Sequence, residues 1–380
     1  MTGLFLAILL ISAPLMASTP YRSDTFSLNL SGSYKNLFFA SKEQATGGRY
    51  LADLNRIRLE GEGRFFEKLQ AKISWDNELI GGDYISTAEF AAREAARNES
   101  YPDMEYEIHR SGRFFYGQRL HRASLQYDAS PLTVTLGRQR IDWGVMRINP
   151  VTDLFVRPPI FDVEKDEFIA PVAANLGWVP AEGWKVNPVY TLEGDFDRSR
   201  TGIRVTKTIG RFDASLLGGR FLRDTLVGFD FTGDYHDMGL RGEFFHDWAV
   251  EGGDFVQSAI GIDYGFPNSL YLAIEYFFNG QGTGDRATAL PFPNTGPFLK
   301  SVYEHFVGLE LKYDLTPLWN LLLLSQNDLQ GGSVLVNAET TYSLFSWMEL
   351  LGGAVLPVGS QTGEFGPVSN LYYTHIKLFF

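Results

Sequence analysis

The chain contains no cysteine. That excludes disulfides, thiolate metal sites, covalent c-type haem and a lipid-modified N-terminal cysteine. Basic charge is also scarce: 33 Lys and Arg against 45 Asp and Glu give a formal net charge of -12. A deficit of cations argues against nucleic acid as a partner, because phosphate neutralisation needs clustered Lys and Arg. Catalytic signatures are missing too. There is no G-x-S-x-G elbow, P-loop or H-E-x-x-H motif. His109, His121, His236, His246, His305 and His375 are scattered without metal-ligand spacing. No enzyme activity, metal or cofactor is therefore expected. Beyond residue 17 no apolar run approaches the ~18 residues of a helical span; Leu321 to Leu324 is the longest purely aliphatic stretch.

What the chain does have points to export. "LFLAILLISAPLM" (Leu4 to Met16) has the length of a secretory apolar core, with Leu15 and Ala17 placed for cleavage before Ser18. Residues 1–17 are read as a signal peptide and 18–380 as one domain. A charged n-region is lacking. Aromatics make up 14% of the chain, and 30 Phe, 18 Tyr and 39 Gly suit sheets joined by tight turns.

The sequence also alternates. In "RIRLEGEGRF" (Arg56 to Phe65), Arg56, Arg58, Glu60, Glu62 and Arg64 share one strand face, while Ile57, Leu59, Gly61, Gly63 and Phe65 share the other. The same period recurs at 69–76, 122–127, 240–244, 270–278 and 333–342. Short connections near 67–68, 128–131, 209–211, 267–268 and 315–317 alternate with long polar ones near 40–49, 80–112, 144–167, 280–301 and 358–369. This predicts an all-β fold, a transmembrane antiparallel β-barrel of about 18 strands with short periplasmic turns and long extracellular loops. Trp75, Trp143, Trp178, Trp184, Trp248, Trp319 and Trp347 all fall near predicted strand ends, as interfacial girdles require. The chain ends "YYTHIKLFF", whose row Tyr372, Thr374, Ile376, Leu378 and Phe380 resembles the C-terminal signal that barrel-insertion machinery recognises. Tyr372, Ile376, Leu378 and Phe380 are the candidate insertion residues.

Greasy rows facing lipid place the ionic rows around a lumen. The early wall then offers Arg56, Arg58, Arg64, Lys72, Arg122, Arg138 and Arg140 as pore-lining bases, interleaved with Glu60, Glu62, Asp76 and Asp142. The later wall offers Asp263, Glu275, Glu310, Glu339 and Glu349 as pore-lining acids, against Lys312 and Lys377. Opposed charge would set a transverse field, and arginine clusters favour carboxylate or phosphate solutes; local pairing that merely hydrates the lumen is the alternative. Arg138 and Arg140 share parity with Leu132, Val134 and Leu136, so either a bulge at Gly137 turns them inward or the strand leaves the bilayer early. The connection 144–167 carries Pro150, Pro158 and Pro159, four large apolar residues, and Arg157, Asp162 and Asp166 as constriction candidates. Inward folding and packing over the rim both account for its composition.

"GRQRIDWGVMRINPVTDLF" (Gly137 to Phe155) resembles a G-R-Q-x-I-x-W-G then N-P-x-D pattern of porin-like outer-membrane proteins related to the alginate-export channel. "SLLGGRFLRDTLVGFDFTGDYHDMGLRGEF" (Ser215 to Phe244) is similar to later hairpins of such barrels. The resemblance implies a single-chain channel of about eighteen strands, without fixing a substrate. A passive porin for small polar or charged solutes in the bacterial outer membrane is the first expectation. Its partners are then membrane lipid, the barrel-assembly machinery and the solutes. A sleeve around a periplasmic cytochrome or polymer-export partner is the second, and a barrel hydrolase using His375 the third. "DFDRS" (Asp195 to Ser199) is a candidate Ca²⁺ loop whose ordinary reading is solvated. A TonB-coupled transporter is disfavoured, as no plug-sized segment precedes the first strand.

Overall fold

The computed structural model describes residues 21–23, 25–97, 101–155, 163–164, 170–250, 252–285, 298–299 and 301–380. The expected leader and the constriction candidates Arg157, Asp162 and Asp166 lie outside the described residues. The chain begins with β1 (Tyr21–Arg22), β2 (Phe26–Lys42), β3 (Arg49–Phe65) and β4 (Leu69–Gly82), then the loop helix α1 (Ala88–Arg97). Next come β5 (Glu105–Ser111), β6 (Phe114–Ala129), β7 (Leu132–Arg138), β8 (Val172–Trp178) and β9 (Trp184–Leu192). They are followed by β10 (Arg200–Ile209), β11 (Phe212–Phe221), β12 (Asp224–Tyr235), β13 (Met238–Trp248), β14 (Phe255–Gly265) and β15 (Leu270–Asn279). The last are β16 (His305–Thr316), β17 (Trp319–Asp328), β18 (Ser333–Phe345), β19 (Met348–Gly359) and β20 (Leu371–Phe379).

All pairings are antiparallel, and β20 returns to β2 in a ladder from Ser33↔Phe379 to Ala40↔Tyr372. With β1 and β5 outside the cycle, the result is a closed 18-strand barrel. Phe380 prolongs the seam: Gly32 N–H donates to its carbonyl at 2.7 Å, and its own N–H donates to Gly32 O at 3.0 Å. An added Cβ at Gly32 would lie 2.4 Å from the Phe380 ring, so the terminal ring fills the space that this glycine leaves. Closure matters because hydrocarbon offers no partner to an unpaired strand edge. Tight turns such as Phe66-Glu67 and His236-Asp237, with φ of 51°, 60°, 48° and 65°, join hairpins on one rim. β1 and Phe380 lie on that rim, and the long connections leave from the other.

The pattern of exposure is the reverse of a soluble protein's. Leu59 (51%), Ile73 (53%), Leu216 (65%) and Ile260 (58%) project outward, while Arg56 (2%), Asp76 (1%), Glu243 (3%) and Glu275 (2%) are sequestered. The apolar rows therefore face the exterior and the ionic rows face in. One outward patch departs from this: Asn36 donates to Asp53 at 2.6 Å, and Gln118 donates to Asn77 at 2.7 Å. These groups satisfy one another, which is the condition for polar atoms beside hydrocarbon. No described helix is long and apolar enough to cross a membrane.

Two tryptophans correct the girdle expectation. Trp178, Trp184, Trp248 and Trp319 sit exposed at strand ends, and Trp347 in the β18–β19 turn. Trp75, however, lies mid-strand, and Trp143 is 1% exposed inside the barrel. Trp143 belongs to a segment that leaves the wall, so strand-end placement in sequence did not mean a rim position. The departure occurs at Gly137, whose φ is 111° and where a Cβ would meet Ala123 O at 2.2 Å. β7 stops one residue later. That leaves the upper edge of β6 uncovered, and β5 folds back to pair with it from Glu105↔Arg119 to Ser111↔Phe114. One strand edge is thus covered by two short pieces, β5 above β7.

Ile260→Arg is expected to destabilise the barrel in liposomes by ~2–4 kcal/mol, the cost of a lipid-facing Arg near mid-membrane. Equilibrium urea unfolding measures this; a neutral result would mean that the Ile260 row does not touch hydrocarbon.

Candidate functional site

Irregular backbone inside a barrel must find acceptors for its N–H groups. The segment 141–155, here called the strap, finds them on the inner wall of β13 and β15. Glu243 accepts from the N–H groups of Val145, Met146 (2.7 Å) and Thr152 (2.7 Å). Glu275 accepts from Arg147 (2.6 Å), Ile148 (3.0 Å) and Asn149 (2.9 Å). Two carboxylates thus hold six backbone amides through charge-assisted bonds. Gln326 donates to the Asn149 side chain at 3.0 Å, Trp143 Nε1 donates to Asn187 at 3.0 Å, and Arg241 donates to Val145 O at 3.1 Å.

Apolar packing completes the seat. Trp143 meets Phe155 edge-on at 4.8 Å, and Phe155 meets Phe221 at 5.4 Å. Wall glycines admit the strap at close range. A Cβ would lie 2.7 Å from Trp143 at Gly202, 2.9 Å from Met146 at Gly261 and 2.8 Å from Ile148 at Gly308. Further along the same connection, Glu164 reaches Arg56 and Lys35 on β3 and β2. The connection is therefore anchored on both sides of the lumen.

Opposite the strap, β2 to β6 carry an ionic network set by strand register. Lys35, Arg56 and Glu78 stand on one rung, and Arg58, Asp76 and Arg119 on the next. Arg58 grips Asp76 through a fork of 2.7 and 2.8 Å, and Arg119 joins that carboxylate at 3.1 Å. Arg56 donates to Glu78 at 3.0 Å, and Arg93 from α1 also pairs with Glu78. Arg138, 1% exposed, turns to Glu105 of β5 at 3.7 Å, and none of its guanidinium nitrogens makes a hydrogen bond to a described residue. Among the described residues, Lys35, Arg56, Arg58, Arg93, Arg119 and Arg138 thus meet Asp76, Glu78, Glu105 and Glu164, and Glu94, Asp103 and Glu107 line the same region. Burial pushes the Glu164 carboxyl up, but Arg56, Lys35 and Arg93 outweigh it and hold it far below the usual carboxylate range.

The bases named from sequence are not all gathered here. Arg56, Arg58 and Arg138 are. Arg64 and Lys72 sit lower, exposed and near Glu62 at 3.3 and 4.0 Å, and Arg122 donates to the His121 carbonyl at 2.9 Å. Arg140 is half-exposed and paired with Asp142 two residues on. Among the acids, Glu275 does not border open water, because the strap covers it. Asp263 pairs with Arg241 (2.9 Å) and Arg147 (3.5 Å), and Glu310 pairs with Lys312 at 2.6 Å. Glu339 accepts from Tyr373 at 2.8 Å, and Glu349 stands opposite Lys377. In the terminal row, Tyr372 is 53% exposed on the outer face, Ile376 is half-buried, and Leu378 is 8% exposed.

Arg119, Arg93, Glu243 and Lys35 were not singled out by sequence. Arg119 is hidden by a bulge: Ser74 pairs with Arg122 but Trp75 with Leu120, so His121 is the extra residue that reverses parity. Arg93 lies in a loop helix, where strand parity says nothing. Glu243 sits in a row that the sequence marks as inward, but nothing local tells which backbone it holds.

Glu275→Leu should free the amides of 147–149, each worth ~1–3 kcal/mol when left without an acceptor. Hydrogen exchange across 145–152 is expected to quicken at least ~10-fold while the wall strands keep their protection. Unchanged exchange would mean that other contacts hold the strap.

No protein-family model and no curated protein matches the chain. Solved structures do. OccK9 (OpdG) of Pseudomonas aeruginosa superposes with a TM-score of 0.58 at 11% identity, covering 93% of this chain and 98% of that one. OpdK from Pseudomonas aeruginosa, also solved with vanillate, gives 0.57 at 9% identity over 93% and 98%. OccAB4 of Acinetobacter baumannii gives 0.56 at 10% identity over the same shares. None of these is an alginate-export channel, so that finer resemblance rests on its sequence motifs alone. The architecture of this chain is that of the 18-strand outer-membrane porins.

Proposed function

We propose that this protein is a passive diffusion channel of the bacterial outer membrane that favours small solutes bearing a carboxylate. The observation that carries the reading is the ionic network on β2 to β6, where Arg56, Arg58, Arg119 and Arg138 are gathered on the inner wall of a closed barrel. Guanidinium groups recognise carboxylates through paired hydrogen bonds, and a low-dielectric wall strengthens the attraction. The strap supplies selection by width. It narrows the lumen from the β13–β15 side, so a solute must pass beside the arginines. The outward apolar rows support a lipid environment, and the terminal row Tyr372, Ile376, Leu378 and Phe380 is proposed as the insertion signal. The pairing of OpdK with vanillate, an aromatic carboxylate, is consistent with this class of solute. A sleeve around a cytochrome or polymer is less well supported, because the strap already occupies lumen that such a partner needs.

Purified protein in planar bilayers tests the reading. Stepwise conductance with anion preference is expected. Arg58→Gln combined with Arg119→Gln should move the reversal potential in a KCl gradient towards the cation-selective direction. A barrel that conducts nothing rejects the channel, and an unmoved reversal potential rejects these arginines as its selectivity element.

A further inference from the structure

Glu164 occupies an unusual position for a counterion. The wall arginines already have carboxylates from neighbouring strands: Arg58 has Asp76 and Arg56 has Glu78. Glu164 comes instead from the connection that carries the strap, 108 residues away from Arg56 in sequence. Its contacts are those of a bound ligand. Arg56 Nη1 donates to Oε1 at 2.7 Å and Nη2 to Oε2 at 3.1 Å, the forked arrangement that a free carboxylate would take. Lys35 Nζ adds a bond to Oε1 at 3.3 Å, and Arg93 Nη2 stands 3.7 Å from Oε2. The Glu164 side chain is 11% exposed and Arg56 2%, so the seat is largely withdrawn from water.

We propose that Lys35, Arg56 and Arg93 form a carboxylate-binding seat filled by the protein's own Glu164, and that a carboxylate solute binds there by taking Glu164's place. This rests on the channel reading and adds its regulation. A tethered group competes at an effective concentration of millimolar or more. Dilute or weakly held anions are excluded from the seat, and only solutes that outcompete Glu164 gain it. Uncharged solutes have no means of exchange. Specificity then comes from competition for the same fork, in which the chain itself is one contestant.

The experiment uses the full mature barrel in planar bilayers at 0.1 M KCl, with benzoate as the probe and benzamide as its uncharged counterpart. Benzoate should interrupt the current in a saturable way and benzamide should not. In Glu164→Gln, which keeps the side-chain shape, the half-blocking benzoate concentration should fall about 10-fold, since an internal competitor has been removed. Adding Arg56→Gln to that variant should abolish the gain. Heat-modifiable gel mobility confirms that each variant is folded, and Glu164→Ala provides a second test should the glutamine fail to assemble. Channels that conduct but show the same half-blocking concentration in wild type and Glu164→Gln would overturn this inference and leave the channel standing. Absence of conductance in every protein would overturn both.

Discussion

A backbone amide that leaves water must be given another acceptor, and this one requirement shapes the molecule at three scales. At the largest, it forces the sheet to close, with β20 laid against β2 and the final residue, Phe380, prolonging the seam. At the next, it brings β5 back to cover the part of β6 that β7 abandons at Arg138. At the smallest, it places Glu243 and Glu275 under the strap, where each carboxylate accepts from three amides. The strap can be irregular only because the wall provides these acceptors.

The same inversion that puts leucine and isoleucine outside puts charge inside, and the two halves of the wall use it differently. On β2 to β6 the charges are arranged by rung, so that guanidinium groups alternate with carboxylates. On β13 and β15 the carboxylates hold backbone. Two carboxylates thus do unlike work: Asp76 is surrounded by guanidinium groups, and Glu275 by peptide N–H.

Much of the wall was legible from alternation alone. The opening row of Arg56, Arg58 and Glu60 faces in, Ile57 and Leu59 face out, and the spacing of connections implied a barrel of about the observed size. Period two is a local signal, and it fails where register is interrupted. One inserted residue at His121 concealed Arg119, and the special backbone at Gly137 turned Arg138 from the apolar row into the ionic cluster. Nothing local marks Gly202, Gly261 and Gly308 as places of close approach; Trp143, Met146 and Ile148 lie against them only in the folded barrel. Glu275 was legible as a residue of the acidic wall but not in its role, because the amides it accepts from lie 126 to 128 positions away.

That separation bears on how the molecule reaches its final form. The strap's acceptors stand on β13 and β15, so they are in place only once those strands have joined the wall. The strap's amides must stay hydrated until then, and contacts across so many residues are slow to form because loop entropy is spent first. The interior is consequently furnished by the wall, and a barrel without β13 and β15 would leave six strap amides to water.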